Sequence, residues 1–211
     1  MRPIETIMRM APVIPVLVIE NPAHARPIAE ALVSGGLPVL EVTLRTPAAL
    51  EVIAEMRDVP GAMVGAGTVL NEAELRASLD AGARFIVSPG LTGPLGCAAV
   101  ASGVPFLPGI ASAGDIMRGL DLGLVHFKFF PAMASGGLLA LKALAAPFAQ
   151  ARFCPTGGIT QASAPDWLAL PEVLCVGGSW LVPKGAPDTA AITAAARAAV
   201  AATRGLPPLT P

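Results

Sequence analysis

The chain has 211 residues, 54 % hydrophobic and 14 % charged, with a formal net charge of -1. That length suits one domain around one large core, and scattered, nearly balanced charges exclude the basic face that a nucleic-acid partner requires. The apolar excess raises a membrane reading, but the uncharged run 85 to 114 is cut by Pro89, Pro94, Pro105 and Pro108 and by glycines into pieces shorter than the ~20 apolar residues a span needs.

The opening MRPIETIMRMAP has two prolines, a Glu and no continuous apolar centre. It is not read as a signal peptide, so a cytoplasmic protein is expected, with residues 1 to 12 as a short helical cap. Eight β-rich runs follow: VIPVLVI (13 to 19), VLEVTL (39 to 44), MVGAGTV (63 to 69), FIVSPG (85 to 90), PFLPGI (105 to 110), HFKFFPA (126 to 132), RFCPTGG (152 to 158) and VLCVGGSW (173 to 180). Their starts lie 20 to 26 residues apart, which leaves one short helix and two turns in each gap. Residues 22 to 36 read as the first of these helices, ending in a glycine pair. Thr46 and Asn71 read as the N-caps of the next two. The alanine-rich segment 186 to 204 reads as a last helix, and 205 to 211 as a loose tail. The strand runs are apolar on both faces, as parallel strands covered by helices are. The expectation is a single-domain (β/α)8 TIM barrel over 1 to 211. An open doubly wound sheet would carry a glycine-rich turn after its first strand, where this chain has ENPAHA.

Polar residues on inward faces near strand ends are the candidates for chemistry. Alternation in VLEVTLR puts Glu41, Thr43 and Arg45 on one face, and in HFKFF it groups His126, Lys128 and Phe130. Lys128 is one of three lysines against eleven arginines. Glu41 and Lys128 read either as a structural ion pair or as a working pair. Burying such a pair is costly or barely neutral for stability, which favours a use: an amine attacking a carbonyl to give a Schiff base, with the carboxyl moving protons. TGG (Thr156, Gly157, Gly158) and GGS (Gly177, Gly178, Ser179) end the last two strand runs. Together they read as a phosphate cradle, because barrels commonly bind phosphate there. Arg45 suits a carboxylate, helped by Thr68, and Pro89 shapes a loop at the mouth whose backbone reaches substrate. His126 reads as a core histidine, His24 as a surface or cap residue, and Trp167 and Trp180 as packing. Two histidines are too few for a metal site built on imidazoles. Cys97, Cys154 and Cys175 lack CxxC spacing, so they read as core filling rather than as zinc ligands or disulfides.

LEVTLRT (40 to 46), VGAGTV (64 to 69), SPG (88 to 90), FKFFPA (127 to 132), FCPTGGI (153 to 159) and GGSWLVP (177 to 183), in this order and spacing, resemble the 2-keto-3-deoxy-6-phosphogluconate (KDPG) aldolases. The resemblance covers nearly the whole chain. It implies a class I lyase of the Entner–Doudoroff pathway that cleaves KDPG to pyruvate and glyceraldehyde 3-phosphate and in many members also processes 4-hydroxy-2-oxoglutarate. It further implies Lys128 as the Schiff-base lysine and Glu41 as general acid/base, with Arg45 and Thr68 on the pyruvate carboxylate and Phe130 beside the lysine. Gly157, Gly158, Gly178 and Ser179 would bind the phosphate, in a homotrimer that needs no metal and no other cofactor. The first strand run has no basic residue to help the phosphate. Three alternatives stand beside this reading: an aldolase for the galactonate-derived isomer, a pyridoxal-phosphate barrel using the same lysine, and a catalytically silent phosphosugar-binding barrel.

Overall fold

The structure is a computed structural model and describes residues 2 to 203. Residues 205 to 211, expected to form a loose tail, lie outside that range. In chain order the elements are α1 (Pro3–Arg9), β1 (Val13–Leu17), a 3-10 turn (Pro22–His24), α2 (Ala25–Ser34), β2 (Val39–Thr43), α3 (Ala49–Met56), β3 (Met63–Gly67), α4 (Glu72–Asp80), β4 (Ile86–Val87) and α5 (Gly93–Ser102). They continue with β5 (Phe106–Leu107), β6 (Gly109–Ile110), α6 (Ala113–Asp121), β7 (His126–Phe129), α7 (Gly137–Ala145), β8 (Arg152–Pro155), α8 (Ala164–Leu168), β9 (Val176–Gly178) and α9 (Thr189–Ala202). The fold is α/β, with every strand pair parallel. One sheet runs β5-β4-β3-β2-β1-β9 and a second β6-β7-β8. Parallel bridges Phe153–Val173 and Thr156–Gly177 bring β8 against the segment that ends in β9.

Each expected strand run holds one strand, except the fifth. There Pro108, which has no N–H to donate, separates β5 from β6, and its carbonyl accepts the Lys128 N–H at 2.8 Å. β5 pairs with β4 and β6 with β7, so the interruption hands the chain from one sheet to the next. The helices follow their local signals with two corrections. Asn71 caps α4, its side chain accepting from Glu74 N at 2.9 Å. Thr46 is not a side-chain cap: its hydroxyl donates to the Ile19 carbonyl at 2.8 Å, tying the loop after β2 to the end of β1, and α3 starts from Ala48. The segment from residue 22 begins as a 3-10 turn, with Asn21 accepting from Ala23 N and Pro22 restricting its first position. No helix among the described residues is long and apolar enough to cross a membrane.

Two apolar clusters show which sheet face does what. The larger one lies between the sheet and its helices and contains Phe127, Phe129, Phe153 and Trp167. The smaller one gathers Ile14, Val39, Phe85, Val87, Leu107, Cys154 and Cys175 with Ile4, Ile7 and Met8 of α1. The opposite sheet faces from β1, β2, β4, β5 and β8 therefore converge on one side of α1. Gly65 makes this possible, since a Cβ there would collide with the Phe85 ring. Of the three cysteines, Cys154 and Cys175 are buried as expected, whereas Cys97 is exposed on the outer side of α5.

His126 is buried at the start of β7, with Nε2 3.4 Å from Glu5 Oε2 of α1. Burial pushes its imidazole below the ordinary value of 6.5, against the opposing pull of the Glu5 carboxylate. Burial also works against ionised Glu5, but the Arg9 hydrogen bond and the charges of His126 and Arg9 outweigh it and hold that carboxyl below 4.5. The unfolded chain takes up a proton at residue 126 near pH 6.5 while the folded chain resists it, so this site removes stability as pH falls through and below that value; the Glu5 contribution is lost only at more acid pH. His126→Gln should therefore flatten the fall in Tm between about pH 7 and about pH 5. Parallel Tm curves for the two proteins would show that His126 does not control this window.

Candidate active site

Glu41 in β2 and Lys128 in β7 both point to the face opposite the covering helices, and there they meet. Lys128 Nζ donates to Glu41 Oε1 at 2.9 Å, with the two residues 5 % and 3 % exposed. The partners are 87 positions apart in the chain and lie one in each of the two sheets. Gly67 of β3 leaves the space for the carboxyl group, because a Cβ there would overlap Glu41 Oε1, Cγ and Cδ. The Phe130 ring lies 5.3 Å from Lys128 Nζ, a distance suited to a cation–π contact.

Beside the pair is a cleft of about 360 Å³, whose walls include Arg45, Phe130, Thr156, Gly157, Gly158, Gly177, Ser179 and Lys184. Phe130 is common to the cleft and to the lysine. Gly157 and Gly158 have φ of 104° and 77°, conformations a glycine adopts at little cost, and they turn the chain sharply after β8. Thr156 leans across Gly177, where a Cβ would overlap its hydroxyl. Arg45 Nε donates to Thr43 Oγ1 at 3.2 Å, and that hydroxyl donates to the Leu17 carbonyl at 2.8 Å. The arginine is thus held at its root by the end of β1.

Besides Lys128 and Glu41, which lie next to this cleft through Phe130, three residues expected at the site do not line it. Gly178 pairs with Pro15 in the sheet, and its missing side chain makes room for the Trp180 indole. Thr68 follows β3 with φ 60°. That is the left-handed region, which β-branched residues rarely enter and which recurs at functional positions. Pro89 lies against the backbone of Gly109, where even a Cβ would collide with its carbonyl. His24 is in the 3-10 turn, 3.4 Å from the Asn21 side chain, and His126 faces α1, away from the cleft.

Two residues escaped sequence reading. Gly67 carried a signal, since a glycine inside a strand marks a close approach. Lys184 reads locally as part of a polar loop, and only the return of the chain after Ser179 brings it to the cleft.

Residues 4–195 match the family described as KDPG and KHG aldolase. The chain is 64 % identical over 201 residues to the 2-dehydro-3-deoxy-phosphogluconate aldolase of Zymomonas mobilis, covering 95 % of this chain and 97 % of that protein. A crystal structure of the Zymomonas mobilis ZM4 aldolase with 3-phosphoglycerate superposes with a TM-score of 0.95 at 63 % identity, covering 98 % of this chain and 99 % of that one. A Legionella pneumophila KDPG aldolase, with pyruvate captured at low pH as a covalent carbinolamine intermediate, gives a TM-score of 0.90 at 45 % identity, with 93 % and 98 % coverage. With the family match spanning nearly all of the described chain and relatives this similar over their full length, the chain belongs to the KDPG and KHG aldolase family.

Proposed function

We propose that Lys128 and Glu41 together carry the aldol chemistry of this chain, and that the buried 2.9 Å contact between them is the observation on which this reading rests. The chain is a carbon–carbon lyase that cleaves KDPG to pyruvate and glyceraldehyde 3-phosphate. In the proposed sequence Glu41 takes a proton from the lysine, and the freed amine attacks the C2 keto carbon to give a carbinolamine. Glu41 returns the proton to the departing hydroxyl, water leaves, and an iminium remains. Glu41 next removes the proton of the C4 hydroxyl. The C3–C4 bond breaks, its electron pair moves into the iminium to form an enamine, and the aldehyde departs. Protonation at C3 and addition of water to the imine release pyruvate and restore the lysine.

Arg45 is assigned to the substrate carboxylate, because its Nε bond to Thr43 fixes the guanidinium while leaving both Nη groups to bind two oxygens. Thr68 assists it from its left-handed conformation, and Phe130 packs beside the lysine. Pro89 contributes through the loop backbone. Thr156, Gly157, Gly158, Gly177, Gly178 and Ser179 form the phosphate end, the last by its hydroxyl. The same pocket would accept 4-hydroxy-2-oxoglutarate, which has the keto acid without the phosphate. The whole chain is taken as one eight-stranded (β/α)8 barrel in which β5 and β6 share a single position and α1 is the cap. A cytoplasmic homotrimer is the setting the family likeness favours, with Leu139, 80 % exposed, and Met133, 52 % exposed, as apolar surface for contacts between copies.

Incubation with pyruvate and sodium borohydride should add a reduced pyruvate to Lys128, seen by peptide mass mapping and absent without pyruvate. An intact protein with no adduct would move the silent phosphosugar-binding barrel to the front. Gly67→Ala should lower kcat for KDPG by about 100-fold or more, because a displaced proton carrier loses the contribution of general acid–base catalysis. A kcat within a few-fold of the parent would mean that the Glu41 position is not critical.

A further inference from the structure

The proposed phosphate end, made of glycine backbone and the Ser179 hydroxyl, contains no charge of its own. A phosphate ester carries up to two negative charges, and neutral donors compensate them only in part. Among the residues that line the cleft the cationic ones are Arg45 and Lys184, and no acidic side chain is present. Arg45 is anchored to Thr43 and the end of β1, and its assigned partner is the substrate carboxylate. Lys184 follows Ser179 by five residues in the same loop. It is exposed and lines the cleft together with Gly157, Gly158 and Ser179.

We infer that Lys184 supplies the positive partner of the substrate phosphate and thereby sets the preference for phosphorylated over unphosphorylated keto acids. This rests on the assignment of the phosphate end made above. It also accounts for how the site manages with a first strand that has no basic residue: the cation comes from the far side, on the loop after β9. A lysine suits this position because its ammonium acts as a point charge on a flexible stem and needs no fixed two-oxygen geometry. The charge reaches the phosphate when substrate arrives, and salt in the medium weakens it, as expected for an exposed partner. Lys184 touches neither reacting carbon, so it acts on specificity and not on bond cleavage.

The test uses the full chain and Lys184→Gln, with Lys184→Arg as the charge-conserving control. Steady-state kinetics on KDPG and on 4-hydroxy-2-oxoglutarate are paired with 3-phosphoglycerate binding followed by phosphorus NMR. The expected result is a rise of about five- to tenfold in KM for KDPG, the scale of one partly screened charge-assisted contact. KM for 4-hydroxy-2-oxoglutarate should change less than about twofold, kcat for KDPG should hold, and Lys184→Arg should recover most of the loss. The salt dependence of KM for KDPG should be shallower in Lys184→Gln than in the parent. Equal changes in KM for both substrates, or none, would overturn the inference, as would unchanged 3-phosphoglycerate affinity. The binding arm does not require turnover. If the parent traps no pyruvate on Lys128 yet loses 3-phosphoglycerate affinity on substitution, the lysine chemistry fails while the role of Lys184 stands.

Discussion

An ammonium and a carboxylate held together away from water are the constraint on which this structure turns. Desolvating two charges costs more than their attraction reliably returns, so a fold that keeps Lys128 and Glu41 side by side and nearly unexposed must be stable from other sources. The surroundings match that demand. The carboxyl group occupies the gap left by Gly67, Phe85 fills the one left by Gly65, and Thr156 leans over Gly177. Three glycines on the concave face of the sheet thus shape an interior that larger residues would block. The pair sits where the strands are paired on both sides, so the backbone that carries it has little freedom to move.

Stability is concentrated elsewhere. The cluster between sheet and helices buries five aromatic side chains, each contributing the removal of an apolar surface of roughly 150–250 Å² from water. The second cluster, around α1, closes the other end of the same strands with Ile4, Ile7 and Met8. β7 shows the division in one element. His126 faces the Glu5 end, Lys128 two residues later faces Glu41, and Phe127 and Phe129 between and after them face the helices. A single alternating strand therefore serves packing on one side and two different polar environments on the other.

Much of this was legible in the sequence because it rests on local rules. The period of two in VLEVTLR and HFKFF placed Glu41 and Lys128 on the same face of their strands, and the spacing of the apolar runs gave the order of the elements. Asn71 obeyed the capping rule. What escaped depended on distant partners. Thr46 has the chemistry of a cap, yet its hydroxyl is taken by the Ile19 carbonyl, in the segment just after β1. The break at Pro108 needs the knowledge that the run must pair with β4 on one side and β7 on the other. Cys97 sits in an apolar sequence, GPLGCAAVAS, whose helix has almost no preferred apolar side, so nothing local marked it as exposed. Lys184 joins the cleft by the path of a loop, for which no periodicity exists.

The scarcity of lysine has a chemical meaning once Lys128 is placed. The reaction releases an aldehyde, and aldehydes condense with any accessible primary amine. A surface rich in lysine would offer the enzyme's own product many amines with which to form imines. Here eleven of the fourteen basic residues are arginine, whose guanidinium is a far weaker partner for a simple aldehyde. Lys142 and Lys184 are the exposed lysine side chains, while the reactive one lies buried under Phe130 and against Glu41. The surface keeps its solubilising charge while offering few amines to self-inflicted glycation, and imine formation is directed to the one lysine where it is reversed by design.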